Sequence, residues 1–153
     1  MRIILKTIIK RILLALPMLI VMIIIFGFSG ADGQQSGSLS LAIAEWVSDI
    51  FGKVGINVSP KTLHLPIRKL AHMSEYALLF ITAMWAFTGI AKRYLWAFML
   101  SVLFAISDEA HQLFVPGRAG SVVDVLIDTV GIIIGMSVYW VILRIKVKKQ
   151  PPI

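Results

Sequence analysis

Four charge-poor apolar stretches constrain this chain more than any other feature of its sequence. They cover residues 12–28, 70–91, 94–114 and 122–143. The last three are each just over 20 residues long, which is the length that a helix needs to cross roughly 30 Å of hydrocarbon. The first can extend backward through further isoleucines and leucines. Only 15% of the residues are charged, against about 25% in soluble proteins. The chain is therefore predicted to be an all-α membrane protein with four transmembrane helices.

The basic residues predict the orientation of these helices. They are concentrated at the two ends of the chain and between the second and third stretches, as Arg2, Lys6, Lys10, Arg11, Lys92, Arg93, Arg144, Lys146, Lys148 and Lys149. By the positive-inside rule both termini are expected in the cytoplasm, with residues 29–69 and 115–121 outside. Because topology accounts for the net charge of +7, no nucleic-acid partner is expected. The N-terminal pattern also fits a cleaved signal peptide, which would leave three helices.

Apolar residues between the first and second stretches recur at helical spacing. They are Leu39, Ile43, Trp46, Val47, Ile50 and Val54. This pattern predicts an amphipathic helix over 39–54, either lying on the outer leaflet or capping the bundle. The preceding segment 31–38, rich in Gly, Gln and Ser, is predicted to be an exposed turn. Residues 1–153 are taken as one domain.

Ionisable side chains gather at the outer ends of three predicted membrane helices, where charge is costly to bury and usually has a function. Those that carry charge are Arg68, Lys69, Glu75, Asp108, Glu109, Arg118, Asp124 and Asp128, with a formal sum of −2. In a low dielectric this cluster requires a proton, a cation or an outside group to balance it. The alternative is a buried network of ion pairs, Arg to Asp and His to Glu, that only fastens the helices.

Two glycines predict which way the acids of the fourth helix point. Gly131 and Gly135 form a small-xxx-small pair suited to close helix contact, and they follow Asp124 and Asp128 by seven residues each. These acids are therefore expected to face the bundle, in one outward-facing pocket with the polar ends of the other helices. Ser121 is predicted to cap this helix, with Asp124 at the capping-box position.

Three ordered motifs resemble the VanZ-like family of bacterial integral membrane proteins. They are Arg68-Lys69-x-x-His72-x-x-Glu75-Tyr76, Asp108-Glu109-x-His111-Gln112, and Pro116-Gly117-Arg118-x-x-Ser121-x-x-Asp124-x-x-x-Asp128-x-x-Gly131. Phe28-Ser29 also fits, although Ser29-Gly30-Ala31 stands where the family usually has Ser-Ser-Gln.

The resemblance implies a multi-pass protein of the bacterial cytoplasmic membrane. The founding member of the family is associated with antibiotic resistance, namely low-level resistance to teicoplanin, a lipid-bearing glycopeptide. The resemblance implies no established reaction.

An enzyme of the cell envelope is the first of three functions that we weigh. Acting on a lipid or a lipid-linked headgroup, it would use a histidine as general base, oriented by a carboxylate, and arginines to hold a phosphate. The candidate catalytic residues are His72, Glu75, Asp108, Glu109 and His111. The candidate binding residues are Arg68, Lys69, Tyr76, Gln112, Arg118, Ser121, Asp124 and Asp128.

A metal-assisted variant of this enzyme would use the i, i+3 pairs His72/Glu75 and Asp108/His111 as ligands. The chain lacks an HExxH stretch and has no cysteine, so neither that metalloprotease signature nor a thiolate site supports it. No metal and no cofactor is assigned.

A non-catalytic binder is the second function. It would recognise a headgroup, the antibiotic or a cell-wall precursor through Arg68, Lys69 and Arg118, with the helix over 39–54 as a lid. The third is a partner or assembly subunit, in which the polar cluster only fastens the helices. A transporter is disfavoured because the inner halves of the helices lack ionisable residues.

Overall fold

The computed structural model describes residues 2–31 and 33–148 and, for 33–36 and 146–148, the backbone alone. The described chain consists of five α-helices and contains no strand. They are α1 (Arg2–Gly30), α2 (Gly33–Lys53), α3 (Pro60–Ala86), α4 (Arg93–Gln112) and α5 (Val122–Lys148). Lys149, one of the basic residues used to predict orientation, lies outside the described residues.

The five helices correspond to the four predicted membrane helices and the amphipathic one, but several ends differ. α3 begins well before residue 70 because Pro60 occupies its first turn, where the missing N–H of proline costs nothing. α3 also ends at Ala86, and the turn that follows contains Gly89 with a φ of +78°. α2 begins at Gly33, so the predicted exposed turn over 31–38 is wrong for most of its length.

α3 lies at the centre of the fold and packs on each of the other four helices. Contacts at the two ends show that the long helices run up and down. At one end Arg11 Nη1 on α1 donates to the carbonyl of Thr88, in the turn between α3 and α4, at 2.6 Å. At the other end Arg118 Nη2, in the turn between α4 and α5, donates to Phe28 O at 2.8 Å. The first end is the basic one and the second carries the polar cluster.

The glycine pair of α5 brings this helix against the backbone of α3. A Cβ at Gly131 would collide with the carbonyl of Met73, and one at Gly135 with the carbonyl of Ala77. The predicted role of the pair in close helix contact is confirmed.

α4 is apolar on its outside and polar on its inside, which is the reverse of a soluble helix. Its buried residues are Ala97, Ser101, Ala105, Asp108, Glu109 and Gln112. Its exposed residues include Leu95, Trp96, Met99, Leu103 and Ile106. Of the described helices, α1 and α5 are long and apolar enough to cross a membrane. These features indicate a membrane protein.

α2 packs through small residues and leaves its large apolar residues exposed. Ser40 and Ala44 are buried, whereas Trp46 is 65% and Leu39 57% exposed. Ser48 Oγ donates to Val58 O at 2.7 Å and secures the link to α3. α2 thus covers part of α3 and also presents an apolar surface to its surroundings.

Candidate functional site

A cavity of about 540 Å³ lies among the end of α1, α2, the first half of α3 and the turn that follows α4. Its wall is mainly apolar and includes Phe28, Ala31, Leu39, Ala42, Ile43, Ile67 and Ala71. Its ionisable side chains are Arg68, His72, Glu75 and Arg118. The cavity therefore combines an apolar surface with a small charged region.

Three of these ionisable residues come from one stripe of α3. Arg68, His72 and Glu75 follow each other at steps of four and three, which places them on the same helical face. His72 Nδ1 and Glu75 Oε2 are 3.6 Å apart, which is too long for a hydrogen bond. Nδ1 of His72 is buried without a hydrogen-bond partner among the described residues. Glu75 therefore does not orient the imidazole as a general base would require.

Arg118 reaches the cavity from the turn between α4 and α5. Its Nε donates to Ala31 O at 3.1 Å and its Nη2 to Phe28 O at 2.8 Å, so it holds the end of α1. Its Nη1 is buried and has no hydrogen-bond partner in the described part of the chain. One donor of this guanidinium is thus unsatisfied by the described residues.

Two guanidinium groups of the same charge, Arg68 and Arg118, line this cavity. Burial lowers the pKa of Arg118, and the charge of Arg68 lowers it further, while Asp108, Glu109 and Glu75 oppose this shift. A guanidinium starts from a pKa above about 12 and remains charged in proteins. An anion bound between the two arginines would relieve their repulsion.

A second polar group lies deeper and does not line the cavity. Tyr76, Asp108, Glu109, Gln112 and Asp128 are all at most 6% exposed. Gln112 Nε2 donates to Asp108 Oδ2 at 3.2 Å and to Glu109 Oε1 at 3.3 Å. Glu109 Oε2 accepts from the backbone N–H of Ser121 at 2.8 Å. Glu109 and Gln112 therefore have structural partners.

The other acids of this deep group are less well satisfied, and only Asp108 Oδ2 among their oxygens accepts a hydrogen bond from a described residue. Asp108 Oδ1 and both carboxylate oxygens of Asp128 are buried with no hydrogen bond from any described residue. Ion pairs among the described side chains are confined to His72 with Glu75 and Lys69 with Asp124. The Arg-to-Asp pairs of the fastening network are therefore not formed at Asp108 or Asp128.

The remaining predicted site residues lie elsewhere. Lys69 Nζ is 4.0 Å from Asp124 Oδ1, and about half of each side chain is exposed. The His111 ring stacks on Phe26 with centroids 4.3 Å apart. Ser121 Oγ accepts from the N–H of Val123 at 3.1 Å, which confirms it as the cap of α5.

The predicted site residues lie at two depths, since Arg68, His72, Glu75 and Arg118 line the cavity whereas Asp108, Glu109, Gln112 and Asp128 are buried below it. The two sets are still close enough for Asp108 and Glu109 to act on Arg118. One expectation is wrong: the capping-box position of Asp124 is not used, since the Ser121 N–H bonds to Glu109. Within the described residues, no group of three or more His, Asp or Glu side chains could hold a metal ion.

The sequence reasoning missed a contact that ties α2 to α3 beside the cavity. Ser40 Oγ and His64 Nε2 are 2.8 Å apart, and His64 Nε2 is 3.1 Å from Gly37 O. A signal was present, because His64, Arg68 and His72 follow each other at steps of four. Ser40 gave no such signal.

Comparison with known proteins agrees with the motifs. A family model described as VanZ/LLP1 matches residues 14–144, a range that contains the cavity, the deep group and the Ser40–His64 contact. No curated protein and no solved structure matches the chain.

Proposed function

Since the chain belongs to the VanZ/LLP1 family, we propose that it is a four-span membrane protein that binds a lipid with an anionic headgroup at the outer leaflet. The observation that carries this proposal is the cavity, whose apolar wall adjoins Arg68, His72 and Arg118.

The helix packing supports four spans. α4 has 20 residues, or about 30 Å of helix at 1.5 Å per residue, and its outer face is apolar. α3 and α4 run alongside α1 and α5, the two helices that are apolar enough to cross a membrane.

The basic residues support the orientation of these spans. Arg11 and the turn at Thr88 lie together, and Lys92 and Arg93 follow that turn in the sequence. By the positive-inside rule this end is cytoplasmic, and so are both termini. The cavity then faces outward.

The composition of the cavity favours an amphiphilic ligand. Arg68, Arg118 and His72 supply donors for an anionic group such as a phosphate. Leu39, Ile43 and Ile67 supply an apolar wall for an acyl or prenyl chain. A volume of about 540 Å³ is within the range of small-molecule sites, which is roughly 300–1,000 Å³.

The geometry favours binding over catalysis. His72 has no hydrogen-bonded carboxylate, so its ring is not held as a base. His64 lies beside the Ser40 hydroxyl, but its Nε2 also contacts the carbonyl of Gly37. The same carbonyl also accepts from Ser40 Oγ at 3.1 Å, so these three groups form one local contact that ties α2 to α3.

Adjacent residues of α3 provide the test of lipid binding. Arg68 lines the cavity, whereas Lys69 is half-exposed and pairs with Asp124. Native mass spectrometry of the purified protein would compare phosphatidylglycerol, a polyprenyl phosphate and phosphatidylcholine. We expect Arg68→Gln to weaken binding of the two anionic lipids roughly tenfold, because the variant loses one charge-assisted hydrogen bond to the headgroup. Lys69→Gln should bind them like the wild type. Equal binding of all three lipids, or equal effects of the two variants, would contradict the proposal.

A lipid-bearing glycopeptide is a second candidate ligand, because it too joins a polar body to an acyl chain that the apolar wall could hold. In a susceptible bacterium that expresses the protein, growth would be measured with teicoplanin and with a glycopeptide that lacks the acyl chain. We expect the protein to protect against teicoplanin but not against the glycopeptide without the acyl chain. Arg68→Gln should lose this protection and Lys69→Gln should keep it. Protection against neither compound would remove this candidate and leave lipid binding to its own test.

A further inference from the structure

Four helices of the bundle each contribute a buried oxygen that has no hydrogen-bond partner. These are Ser29 Oγ on α1, Tyr76 OH on α3, Asp108 Oδ1 on α4 and both carboxylate oxygens of Asp128 on α5. All four residues are at most 1% exposed. None of them lines the cavity described above, so this group of four is a separate feature.

The four residues share one neighbourhood. The Ser29 hydroxyl lies beside Asp108, although neither Ser29 Oγ nor Asp108 Oδ1 has a hydrogen bond of good geometry. The Tyr76 ring lies 6.4 Å from the ring of Phe104, which is one turn before Asp108 on α4. Gly131, three residues after Asp128 on α5, lies against Met73, three residues before Tyr76 on α3. Two carboxylates and two fully buried hydroxyls are thus brought together from four different helices.

Such a group is costly without a compensating charge. An unpaired buried carboxylate loses several kcal/mol of solvation. Among the described side chains, neither Asp108 nor Asp128 has an ion pair. Arg118 is close enough to act on Asp108, but two of its nitrogens are bonded to the carbonyls of Phe28 and Ala31. No described side chain forms an ion pair with either acid, so a proton or a cation is needed to balance them.

The type of ligand atom identifies the kind of ion. All the unpaired atoms are oxygens, which suit hard cations rather than soft transition metals. Ca²⁺ takes about six to eight oxygen ligands, usually with several carboxylates. Here only two carboxylates are unpaired, and no group of three or more acids and histidines within the described residues could hold a metal. These features favour a monovalent cation.

We propose that Ser29, Tyr76, Asp108 and Asp128 form a buried site for a sodium ion. The ion would be bound by oxygens from α1, α3, α4 and α5 and would stabilise the outer end of the bundle. This proposal does not depend on lipid binding in the cavity.

The full-length protein, purified in detergent at constant pH and ionic strength, would be compared in sodium, potassium and choline chloride. We expect saturable binding of radioactive sodium with about one ion per chain, and a higher melting temperature in sodium than in choline, because a ligand that binds only the folded state stabilises it. Asp108→Asn and Asp128→Asn should abolish both effects. Asp124→Asn is the matched control on α5, since Asp124 is half-exposed and paired with Lys69, and it should keep both effects.

A milder variant keeps the test valid if the Asp variants fail to fold. Tyr76→Phe removes one oxygen and preserves the ring, so it should bind sodium roughly tenfold more weakly and melt in choline like the wild type. The absence of saturable sodium binding by the wild type would overturn the proposal. Equal melting temperatures in sodium and choline, or unchanged sodium binding by Asp128→Asn, would also overturn it, because the acids would then be neutralised by protons. Lipid binding is measured separately, so either proposal can fail alone.

Discussion

Glu109 and Ser121 connect two helices through a single hydrogen bond, in which Glu109 Oε2 on α4 accepts from the backbone N–H of Ser121 at 2.8 Å. The first N–H groups of a helix have no partner within the helix, and a capping box would have supplied one from α5 itself. Here the acceptor comes from the preceding helix and is almost fully buried. The bond fixes the turn that carries Arg118 to the cavity.

The first prediction concerns this bond. Glu109→Ala should lower the free energy of unfolding by about 1–3 kcal/mol, because it leaves the part-buried Ser121 N–H without its acceptor and removes one of the two acceptors of the Gln112 amide. Asp124→Ala removes a half-exposed acid whose capping role is not used, so the expected loss is below about 1 kcal/mol. Unfolding of the two purified variants in mixed detergent micelles measures the difference. A larger loss for Asp124→Ala than for Glu109→Ala would contradict this prediction and indicate that Asp124 caps α5.

The second prediction concerns the contact between α3 and α5. Gly135→Ala would place a Cβ against the carbonyl of Ala77, so the helices must separate. We expect a destabilisation of about 1–3 kcal/mol. Gly27→Ala on α1 is the control, since nothing lies within 4 Å of its Cβ position, and it should be neutral or slightly stabilising because alanine favours a helix. Equal melting temperatures for the two variants would show that α5 is not held at this distance.

Hydropathy and charge patterns were sufficient to predict the helices, but not the arrangement of the polar residues. Asp108 and His111 are three residues apart, which predicts a shared face. In the structure Asp108 is fully buried, whereas His111 stacks on Phe26 of α1. Both side chains face α1, Asp108 beside Ser29 and His111 against Phe26, but they lie at different depths and have different partners. Spacing along one helix gives a face, but the partner of each side chain depends on how helices are rotated against one another.

The close approach of α3 and α5 was predictable for a different reason. Gly131 and Gly135 indicate the contact directly, because glycine permits a close approach of two backbones that any larger residue would prevent. Ser40 and His64 show the opposite case. Neither residue indicates a partner on another helix, and their contact follows only from the packing of α2 on α3.

The third prediction concerns topology. Because the chain has no cysteine, single cysteines can report the side of the membrane. Asn57, between α2 and α3, and Ala91, between α3 and α4, are both exposed. In intact cells an impermeant thiol reagent should label Asn57→Cys and leave Ala91→Cys unlabelled. In permeabilised cells the reagent should label both variants. Gly120 is unsuitable because a Cβ there would collide with the carbonyl of Glu109. The reverse labelling pattern would invert the proposed orientation.

The fourth prediction separates a binding site from a fastening contact, and it uses two neighbouring residues of the cavity, His72 and Glu75. His72→Gln removes the ring nitrogen that has no partner, so anionic lipids should bind a few-fold more weakly, by the loss of one hydrogen bond. Glu75→Gln removes a negative charge from the same cavity, so the same lipids should bind a few-fold more tightly, since a carboxylate repels an anion. Both variants should melt close to the wild type, because a partly exposed pair at 3.6 Å contributes about 0–1 kcal/mol.

If the two residues instead fasten the helices, either change leaves its partner uncompensated at a cost of about 3–5 kcal/mol. Melting temperatures and lipid affinities measured on the same preparations decide between the two. Parallel losses of stability and affinity in both variants would refute the binding site, whereas affinity changes of opposite sign at constant stability require that both side chains face the ligand.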